Sequence, residues 1–313
     1  MKKFAFVFPG QGSQSVGMLD AWGDHPAVRA TLQEASDALG EDVARLVHEG
    51  PKEALALTTN TQPVMLVAGV AAYRAWRAEG GAEPEIVAGH SLGEYSALVA
   101  AGVLTLAQAA PLVRFRAQAM QDAVPVGAGA MAAILGLDAQ AVIDGCAEAE
   151  QAAPGEIAEA VNFNDKAQTV IAGTKAGVEQ ACALLKARGA KRALPLPVSA
   201  PFHSSLMKPA AEKLREKLAT VELAAPRIPV INNIDVMVES DPARIRDALY
   251  RQAFGPVRWV ECVQAIQARG VTHVVECGPG KVLAGLHKRI DASIVSGMVF
   301  DPATLSETMA ALA

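Results

Sequence analysis

Apolar positions in the first third of the chain change repeatedly from short continuous runs to helical spacing. Phe4 to Phe8 and Glu85 to Gly89 are short runs that stop at glycine or proline, which predicts two buried strands. Helical spacing is found in four segments: Ala27 to Leu39, Glu53 to Leu57, Gln62 to Trp76 and Leu92 to Ala100. This alternation favours a mostly parallel sheet with helices on both faces.

The middle of the chain has a different order of elements. It predicts strand (Met131 to Leu137), helix (Asp138 to Glu150), two strands (near Ala160 to Phe163, then Thr169 to Ala172), helix (Lys175 to Arg188) and strand (Lys191 to Leu196). This β-α-β-β-α-β order is typical of a ferredoxin-like unit. Proline and glycine clusters border it, so we expect a small subdomain at 127–197 within a large α/β subdomain at 1–126 and 198–313.

After this unit, the pattern returns to the alternation seen at the start. It predicts helices from Pro209 to Ala219, Ile245 to Gln252 and Trp259 to Arg269, and strands from Val230 to Asn232 and His273 to Glu276. Tyr95 to Val113 carries no charge, but it is rich in small residues and is interrupted by Thr105, Gln108 and Pro111. We therefore expect a buried helix, a turn and a second helix there, with no membrane span.

Charge and cysteine content narrow the partners and the compartment. The formal net charge of -5 does not favour nucleic-acid binding, which needs a concentrated basic surface. The four cysteines match neither a metal-ligand spacing nor a dense disulfide framework. The amino terminus does not have the pattern of a signal peptide. We therefore expect a cytoplasmic protein that acts without metal.

A serine nucleophile is indicated by Gly89-His90-Ser91-Leu92-Gly93, a GxSxG motif placed between a predicted strand and a predicted helix. A chain that reverses so sharply crowds its own backbone, and glycine relieves that crowding while the serine projects outward. The helix amino terminus also turns N–H groups toward a developing oxyanion, and Leu92 is the natural donor.

A serine hydroxyl needs a base to take its proton. Of the six histidines, His203 lies in a loop just after the predicted small subdomain, where it could reach the strand ends. The others have simpler roles in packing or at the surface, and the side chain of His90 should point away from Ser91. The residues alone leave open that His203 is an ordinary loop histidine.

Several motifs together resemble the malonyl-CoA:acyl carrier protein transacylases, a family of bacterial fatty-acid synthesis enzymes. The resemblance rests on Phe8 to Gln14, the GHSLG turn continuing into Glu94 to Ala97, Arg116 with Met120, Asn162 to Asn164, Phe202-His203 and Gly278 to Gly280. It runs in order along almost the whole chain. It implies an α/β-hydrolase-like parallel core with an inserted ferredoxin-like subdomain.

The resemblance also implies roles for individual residues. Ser91 and His203 would form a dyad, with the imidazole oriented by an amide or carbonyl at Gln252, and Gln11 would be the second oxyanion donor beside Leu92. Arg116 would bind the malonyl carboxylate, although the residues alone do not separate it from Arg114. Phe202 and Met120 would set acyl specificity, and His90 and Asn162 are possible pocket residues.

The implied reaction moves malonyl from malonyl-CoA to acyl carrier protein, with coenzyme A thioester as a substrate, no cofactor, and a monomeric enzyme. Two basic patches could dock an acidic carrier protein: Arg188, Lys191 and Arg192, or Lys288 and Arg289. A serine hydrolase is the first alternative, although it would also require an Asp or Glu before the histidine. A non-catalytic binding module for coenzyme A or carrier protein is the second.

Overall fold

The computed structural model describes residues 2–313 as nine strands and thirteen α-helices. The strands are β1 (Phe4–Phe8), β2 (Ile86–Gly89), β3 (Gly129–Leu135), β4 (Ala158–Asp165), β5 (Gln168–Thr174), β6 (Arg192–Pro195), β7 (Val230–Ile231), β8 (His273–Cys277) and β9 (Val295–Val299). The helices are α1 (Pro26–Leu39), α2 (Val43–Glu49), α3 (Lys52–Ala56), α4 (Thr58–Ala78), α5 (Gly93–Ala100), α6 (Leu106–Asp122), α7 (Ala139–Ala152), α8 (Lys175–Ala187), α9 (Lys208–Ala219), α10 (Pro242–Gln252), α11 (Trp259–Gln267), α12 (Val282–Ile290) and α13 (Pro302–Leu312).

Five strands form one parallel sheet in the order β7-β2-β1-β8-β9. Side chains of β1 alternate between its faces. Phe6 packs edge-on against Tyr73 and Trp76 of α4, whereas Ala5 and Val7 belong to the apolar cluster on the opposite face, which α11 and α12 cover. The predicted parallel sheet with helices on both faces is therefore present, because β1 is apolar on both sides.

Four strands form a separate antiparallel sheet in the order β4-β5-β3-β6. All four come from one stretch of chain between β2 and β7, and two helices, α7 and α8, alternate with them. Ala132 and Ile134 pack under these helices, whereas Met131 and Ala133 face the main core. The antiparallel sheet thus packs one of its apolar faces against the main core.

Two helices contain a proline that the sequence pattern treats as a boundary. Helix α4 begins at Thr58, four residues before the predicted start at Gln62, and Pro63 lies inside it. Helix α6 begins after Thr105, whose side chain and that of Gln108 form a capping box, and it continues through Pro111. The break in the uncharged segment is therefore the turn before Thr105. None of the helices within residues 2–313 is long and apolar enough to cross a bilayer.

The parallel sheet brings distant loops to one edge. Strands β1, β2 and β7 are adjacent and point the same way, so the residues that follow them meet at their carboxyl ends. Gln11 follows β1, Ser91 follows β2 and Asn233 follows β7. Residues from three remote parts of the sequence are thereby assembled at this edge.

Candidate active site

Ser91 occupies a strained turn between β2 and α5. Its φ is 52°, in the left-handed region that residues with a Cβ seldom adopt. The glycines of the motif are sterically required, since a Cβ on Gly89 would lie 1.9 Å from the carbonyl of Gly93, and one on Gly93 would lie 2.1 Å from the carbonyl oxygen of Phe8. The turn therefore projects the serine hydroxyl above the end of the sheet.

The turn is held from the neighbouring strand by Asn233. The Ser91 N–H donates to Asn233 Oδ1 over 2.7 Å, and Asn233 Nδ2 donates to the carbonyl oxygen of Gly89, also over 2.7 Å. Asn233 is fully buried. One side-chain amide thus binds the backbone on both sides of His90 and stabilises the left-handed serine.

Ser91 is paired with His203, which lies between β6 and α9. Ser91 Oγ is 2.6 Å from His203 Nε2, and His203 Nδ1 is 2.8 Å from the backbone carbonyl oxygen of Gln252. Because a carbonyl oxygen can only accept, Nδ1 carries the hydrogen of the neutral ring, and Nε2 is free to accept the serine proton. The carbonyl of Gln252 therefore orients the imidazole without a carboxylate.

The surroundings of His203 favour the neutral imidazole. Burial, and then the positive charge of Arg116, lower the pKa of His203 to about 3. A neutral ring is the form that can take a proton from Ser91. The same environment disfavours the imidazolium, so this ring is a base that stays unprotonated over the physiological range.

Arg116 projects from α6 into the same site and is 2% exposed. Its Nη1 donates to Gln62 Oε1 over 2.5 Å, and its Nη2 donates to Gln252 Oε1 over 3.1 Å. Burial lowers the pKa of Arg116, and the guanidinium carbon lies 5.5 Å from the centre of the Tyr95 ring. Its side-chain acceptors are two neutral amides and, over 3.3 Å, the Ser91 hydroxyl, so this buried cation retains its charge for an anionic ligand.

Arg114, which the residues alone could not separate from Arg116, lies elsewhere. Its guanidinium makes two hydrogen bonds, of 2.6 and 2.7 Å, to the carboxylate of Glu41 on the surface. Two residues along a helix are about 200° apart, so the two arginines face opposite ways. Only Arg116 reaches the serine.

Glu94, on the first turn of α5, is a buried acid behind the serine. Its Oε2 accepts from the N–H of Asn233 and from Nε2 of Gln252, both over 2.9 Å. Burial raises the pKa of Glu94 to about 7, although both hydrogen bonds and the charge of Arg116 oppose the shift. Glu94 thus connects the two amides that hold the serine turn and Arg116.

A cavity of about 190 Å³ opens above Ser91 between the two sheets. Of the predicted residues, it is lined by Gln11, His90, Ser91, Arg116, Asn162, Phe202 and His203. Met131, Val170, Leu196 and Val198 supply apolar walls from the antiparallel sheet and the segment that follows it. A larger surface depression, of about 1000 Å³, lies beside α1 and α2 and includes none of the predicted site residues.

Three predicted residues are placed beside the cavity and not in its lining. The sulfur of buried Met120 lies 3.9 Å from Gln62 Nε2. Gln252 is buried behind Arg116 and His203, and Leu92 follows Ser91. Within residues 2–313, neither the Leu92 N–H nor the Gln11 N–H has a protein acceptor.

The His90 ring bonds to the antiparallel sheet, although it lines the same cavity as Ser91. Its Nε2 lies 2.8 Å from Asn164 Oδ1, and its ring packs edge-on against Trp259 at 5.4 Å. Burial lowers the pKa of His90. His90 therefore contacts the antiparallel sheet at the floor of the cavity.

Two residues of the site, Gln62 and Asn233, have no signal in the sequence motifs. Gln62 lies in an apolar helix and is fully buried, and Asn233 follows a short strand. A polar residue amid an apolar helical run is the one feature that could have drawn attention to Gln62. Nothing comparable marks Asn233.

Together, a histidine-paired serine at a strand-to-helix turn and a buried arginine facing the same cavity define a serine enzyme of the acyl-transfer class. A family model described as "Acyl transferase domain" matches residues 5–297. The chain is 53% identical to the malonyl CoA-acyl carrier protein transacylase of Salmonella typhimurium, over 99% of both chains. It belongs to the malonyl CoA-acyl carrier protein transacylase family, which confirms the resemblance.

Solved structures of proteins with this activity in their names have the same fold as this chain. An acyl-carrier-protein S-malonyltransferase from Burkholderia pseudomallei superimposes with a TM-score of 0.96 at 68% identity, covering 98% of this chain and 99% of that one. A malonyl-transacylase solved with its type II PKS acyl-carrier protein gives a TM-score of 0.97 at 50% identity, covering 99% of this chain and all of the other. The arrangement of the two sheets is thus the fold of this family.

Proposed function

We propose that this enzyme transfers the malonyl group of malonyl-CoA to the phosphopantetheine thiol of acyl carrier protein through a malonyl-serine on Ser91, and so supplies extender units for fatty-acid synthesis. The observation that carries the proposal is the position of the buried Arg116 guanidinium beside a serine that is 2.6 Å from its base. A malonyl group is an acyl group that ends in a carboxylate, and this cavity offers both a nucleophile and a cation.

The chemistry follows from the pairing of Ser91 and His203. Ser91 Oγ attacks the thioester carbonyl while Nε2 of His203 takes its proton. The oxyanion lies between the N–H groups of Leu92 and Gln11, which have no acceptor in the protein. When the carbonyl re-forms, the carbon–sulfur bond breaks and His203 returns the proton to the coenzyme A sulfur.

The second half of the reaction reverses these steps. The carrier thiol gives its proton to His203 and attacks the malonyl ester, and Ser91 leaves with the proton from His203. This order makes the kinetics ping-pong. Each step uses only these groups and a thioester, so we propose that no metal or redox cofactor takes part.

Arg116 selects the acyl group. A malonyl carboxylate meets the guanidinium with charge-assisted hydrogen bonds, whereas an uncharged acyl chain leaves the buried cation without an anion. Phe202 narrows the cavity against a branched acyl group, and Met120 acts indirectly by contacting Gln62. His90 and Asn162 complete the wall that faces the antiparallel sheet.

We propose the same division of the chain that the sequence predicts. Residues 127–197 form a ferredoxin-like unit, which the β-α-β-β-α-β order and the β4-β5-β3-β6 pairing support. Residues 1–126 and 198–313 form an α/β-hydrolase-like body. We also propose that the partner is acyl carrier protein, because a structural relative was solved with such a protein. The enzyme itself we propose to be a cytoplasmic monomer.

Intact-protein mass spectrometry tests the proposal. After brief exposure to malonyl-CoA, the protein should gain one malonyl mass located on Ser91, and Ser91→Ala should gain none. Adding carrier protein should move the adduct to its phosphopantetheine. No adduct on the unaltered protein would indicate a binding module, and release of free malonate in place of malonyl-carrier would indicate a hydrolase.

A further inference from the structure

A chain of hydrogen bonds runs behind the cavity from the buried guanidinium to the loop after β1. Arg116 Nη1 donates to Gln62 Oε1 over 2.5 Å, Gln62 Nε2 donates to Thr58 Oγ1 over 3.2 Å, and Thr58 Oγ1 donates to Gln11 Oε1 over 2.9 Å. Thr58 and Gln62 are one turn apart on α4, so both face the site.

The guanidinium fixes the direction of the first two bonds, and the Thr58 hydroxyl donates the third. A guanidinium can only donate, so the oxygen of the Gln62 amide faces Arg116 and its nitrogen faces Thr58. The Thr58 oxygen must then accept, and its single hydrogen is left for Gln11. The bonds therefore point the same way, and bonds aligned in this manner polarise one another.

Water cannot readily replace the middle of the chain. Gln62 is 0% exposed and Thr58 is 3% exposed, whereas Gln11, at the end of the chain, is exposed. The sulfur of Met120 is a second, weaker acceptor for Gln62 Nε2 at 3.9 Å, which keeps the amide in this orientation. Loss of the Thr58 hydroxyl would thus interrupt the connection.

We propose that Thr58 and Gln62 are positioning residues that couple carboxylate binding at Arg116 to the oxyanion donor at Gln11. The proposal rests on the roles given above to Arg116 and Gln11. A malonyl carboxylate fixes the guanidinium, and the chain holds the Gln11 loop in the position that receives the oxyanion. A neutral acyl group adds no such contact, so Arg116 keeps only its bonds to the protein. Malonyl selectivity is then expressed in the rate of Ser91 acylation as well as in binding.

Substitution at Thr58 tests the coupling against a matched control. Thr58→Val keeps the branched shape and removes the hydroxyl, and Thr58→Ser keeps the hydroxyl. Thr61→Val is the control, because Thr61 is equally buried on the same helix and bonds only to the backbone carbonyls of Leu55 and Leu57. The measurement is the single-turnover rate of malonyl-Ser91 formation over a range of malonyl-CoA concentrations.

We expect Thr58→Val to lower the acylation rate at saturating malonyl-CoA by about tenfold, with little change in the half-saturating concentration, because Arg116 stays in place. Thr58→Ser and Thr61→Val should stay within about twofold of the unaltered enzyme. With Arg116→Ala present and acetyl-CoA as the donor, Thr58→Val should cause no further loss. That non-additivity is a readout that a merely structural role would not give.

Equal losses in Thr58→Val and Thr61→Val would overturn the coupling, since both would then report packing. So would a Thr58→Val effect of the same size in the Arg116→Ala background. These results are distinct from failure of the proposed function, in which the unaltered enzyme itself would form no malonyl-Ser91.

Discussion

The Nη2 nitrogen of Arg116 lies 3.3 Å from the hydroxyl oxygen of Ser91. The same oxygen is 2.6 Å from His203 Nε2, so the serine hydroxyl contacts both the imidazole and the guanidinium. In the proposed malonyl-serine, the acyl group is short enough for its free carboxylate to bind this guanidinium. This relationship makes the charge of the acyl group the natural basis for selection.

Replacing Arg116 should therefore change acyl preference. We expect Arg116→Ala to lower kcat/KM for malonyl transfer by roughly 10²- to 10³-fold, which corresponds to loss of one or two charge-assisted hydrogen bonds. Acetyl transfer should improve relative to malonyl transfer, because no buried cation is left without an anion. Competition between malonyl-CoA and acetyl-CoA, followed by mass spectrometry of Ser91, measures the ratio.

Arg114→Ala is the control for this experiment, since it removes the same side chain from the same helix and breaks only the surface pair with Glu41. It should leave the malonyl-to-acetyl ratio unchanged. If Arg116→Ala reduced both acyl groups equally, the carboxylate would have to bind elsewhere.

The pH dependence of Ser91 acylation should reflect the low pKa of His203. An unperturbed histidine titrates near 6.5, whereas burial and Arg116 lower the pKa of His203 to about 3. The base is active when neutral, so activity is lost as pH falls through the pKa in the folded enzyme. We expect the acylation rate to stay level from pH 8 to about 5, without a fall near 6.5.

Arg116→Ala provides the internal check, because removing the positive charge removes the second cause of the shift. In that variant, NMR titration of the His203 ring should give a pKa closer to 6.5 than in the unaltered enzyme. Because Glu94 behind the serine has a pKa of about 7, the decisive result is a fall in acylation centred near 6.5 that persists in Glu94→Gln, which would contradict the assignment of a buried neutral base.

The sequence predicted the elements that carry strong local signals. The aromatic run from Phe4 to Phe8 is bounded by Pro9, and the strand has those bounds. Strand β9 (Val295–Val299) was missed, because it is a partly exposed edge strand that contains Ser296 and Gly297. Local pattern is informative where a strand is buried on both faces and weak at the edge of a sheet.

The candidate site shows the same contrast between residues that a local pattern marks and residues that only the fold brings together. Ser91 follows from its motif and its place in a turn, and the family resemblance selects His203 and Arg116. The roles of Asn233 and Gln62 depend on long-range contacts. Asn233 is 142 positions from Ser91 in the chain, and Gln62 is 54 positions from Arg116. Such contacts follow from the order of strands and the packing of helices, which one sequence does not reveal.

Asn233 should be required for the serine turn. Asn233→Ala removes two buried hydrogen bonds, so we expect a loss of about 1–3 kcal/mol in the free energy of unfolding together with slower acylation of Ser91. Asn232→Ala is a matched control, since Asn232 is also buried but its Oδ1 accepts from the N–H of Asp235. Denaturant unfolding and single-turnover acylation check both effects. Acylation at an unchanged rate in folded Asn233→Ala would show that the turn does not need this amide.

Glu94 should make stability depend on pH. Burial raises its pKa to about 7 from an ordinary 4.5, so the folded protein holds this proton more tightly than the unfolded chain. The stabilising contribution is complete below about pH 4.5 and is lost as pH rises through 7. Glu94→Gln removes the titration and keeps an oxygen acceptor. The Tm of the unaltered enzyme should therefore fall relative to that of Glu94→Gln as pH rises from 4.5 to 8. A Tm difference that stays constant with pH would contradict the raised pKa.

The two basic patches expected to dock the carrier protein differ in how their cations are paired. Of the candidate cations, Arg188 is paired with Glu148, and Arg289 is paired with Asp165 over 2.5 Å. Lys288 is exposed, as are the chain neighbours Lys191 and Arg192, and within residues 2–313 none of the three forms a salt bridge with a carboxylate.

Lys191 precedes β6 and Arg192 begins it, and this strand leads to Leu196 in the cavity wall. Leu196, which lines the cavity, is four residues from Arg192, a distance of roughly 13 Å along an extended chain. A carrier protein bound at the patch could therefore direct its phosphopantetheine toward Ser91. The combined charge reversal Lys191→Glu and Arg192→Glu should then raise the KM for carrier protein by about two- to fivefold. Acylation by malonyl-CoA should not change, because neither Lys191 nor Arg192 lines the cavity at Ser91.

The matched control is Lys52→Glu with Lys213→Glu, which alters the net charge equally at two other exposed lysines. The KM for an acidic carrier also responds to the overall field of the enzyme, so only a difference between the two double variants reports local docking. Raising the salt concentration should reduce that difference, because exposed charges are screened. Equal KM values for the two double variants would place the carrier on another surface.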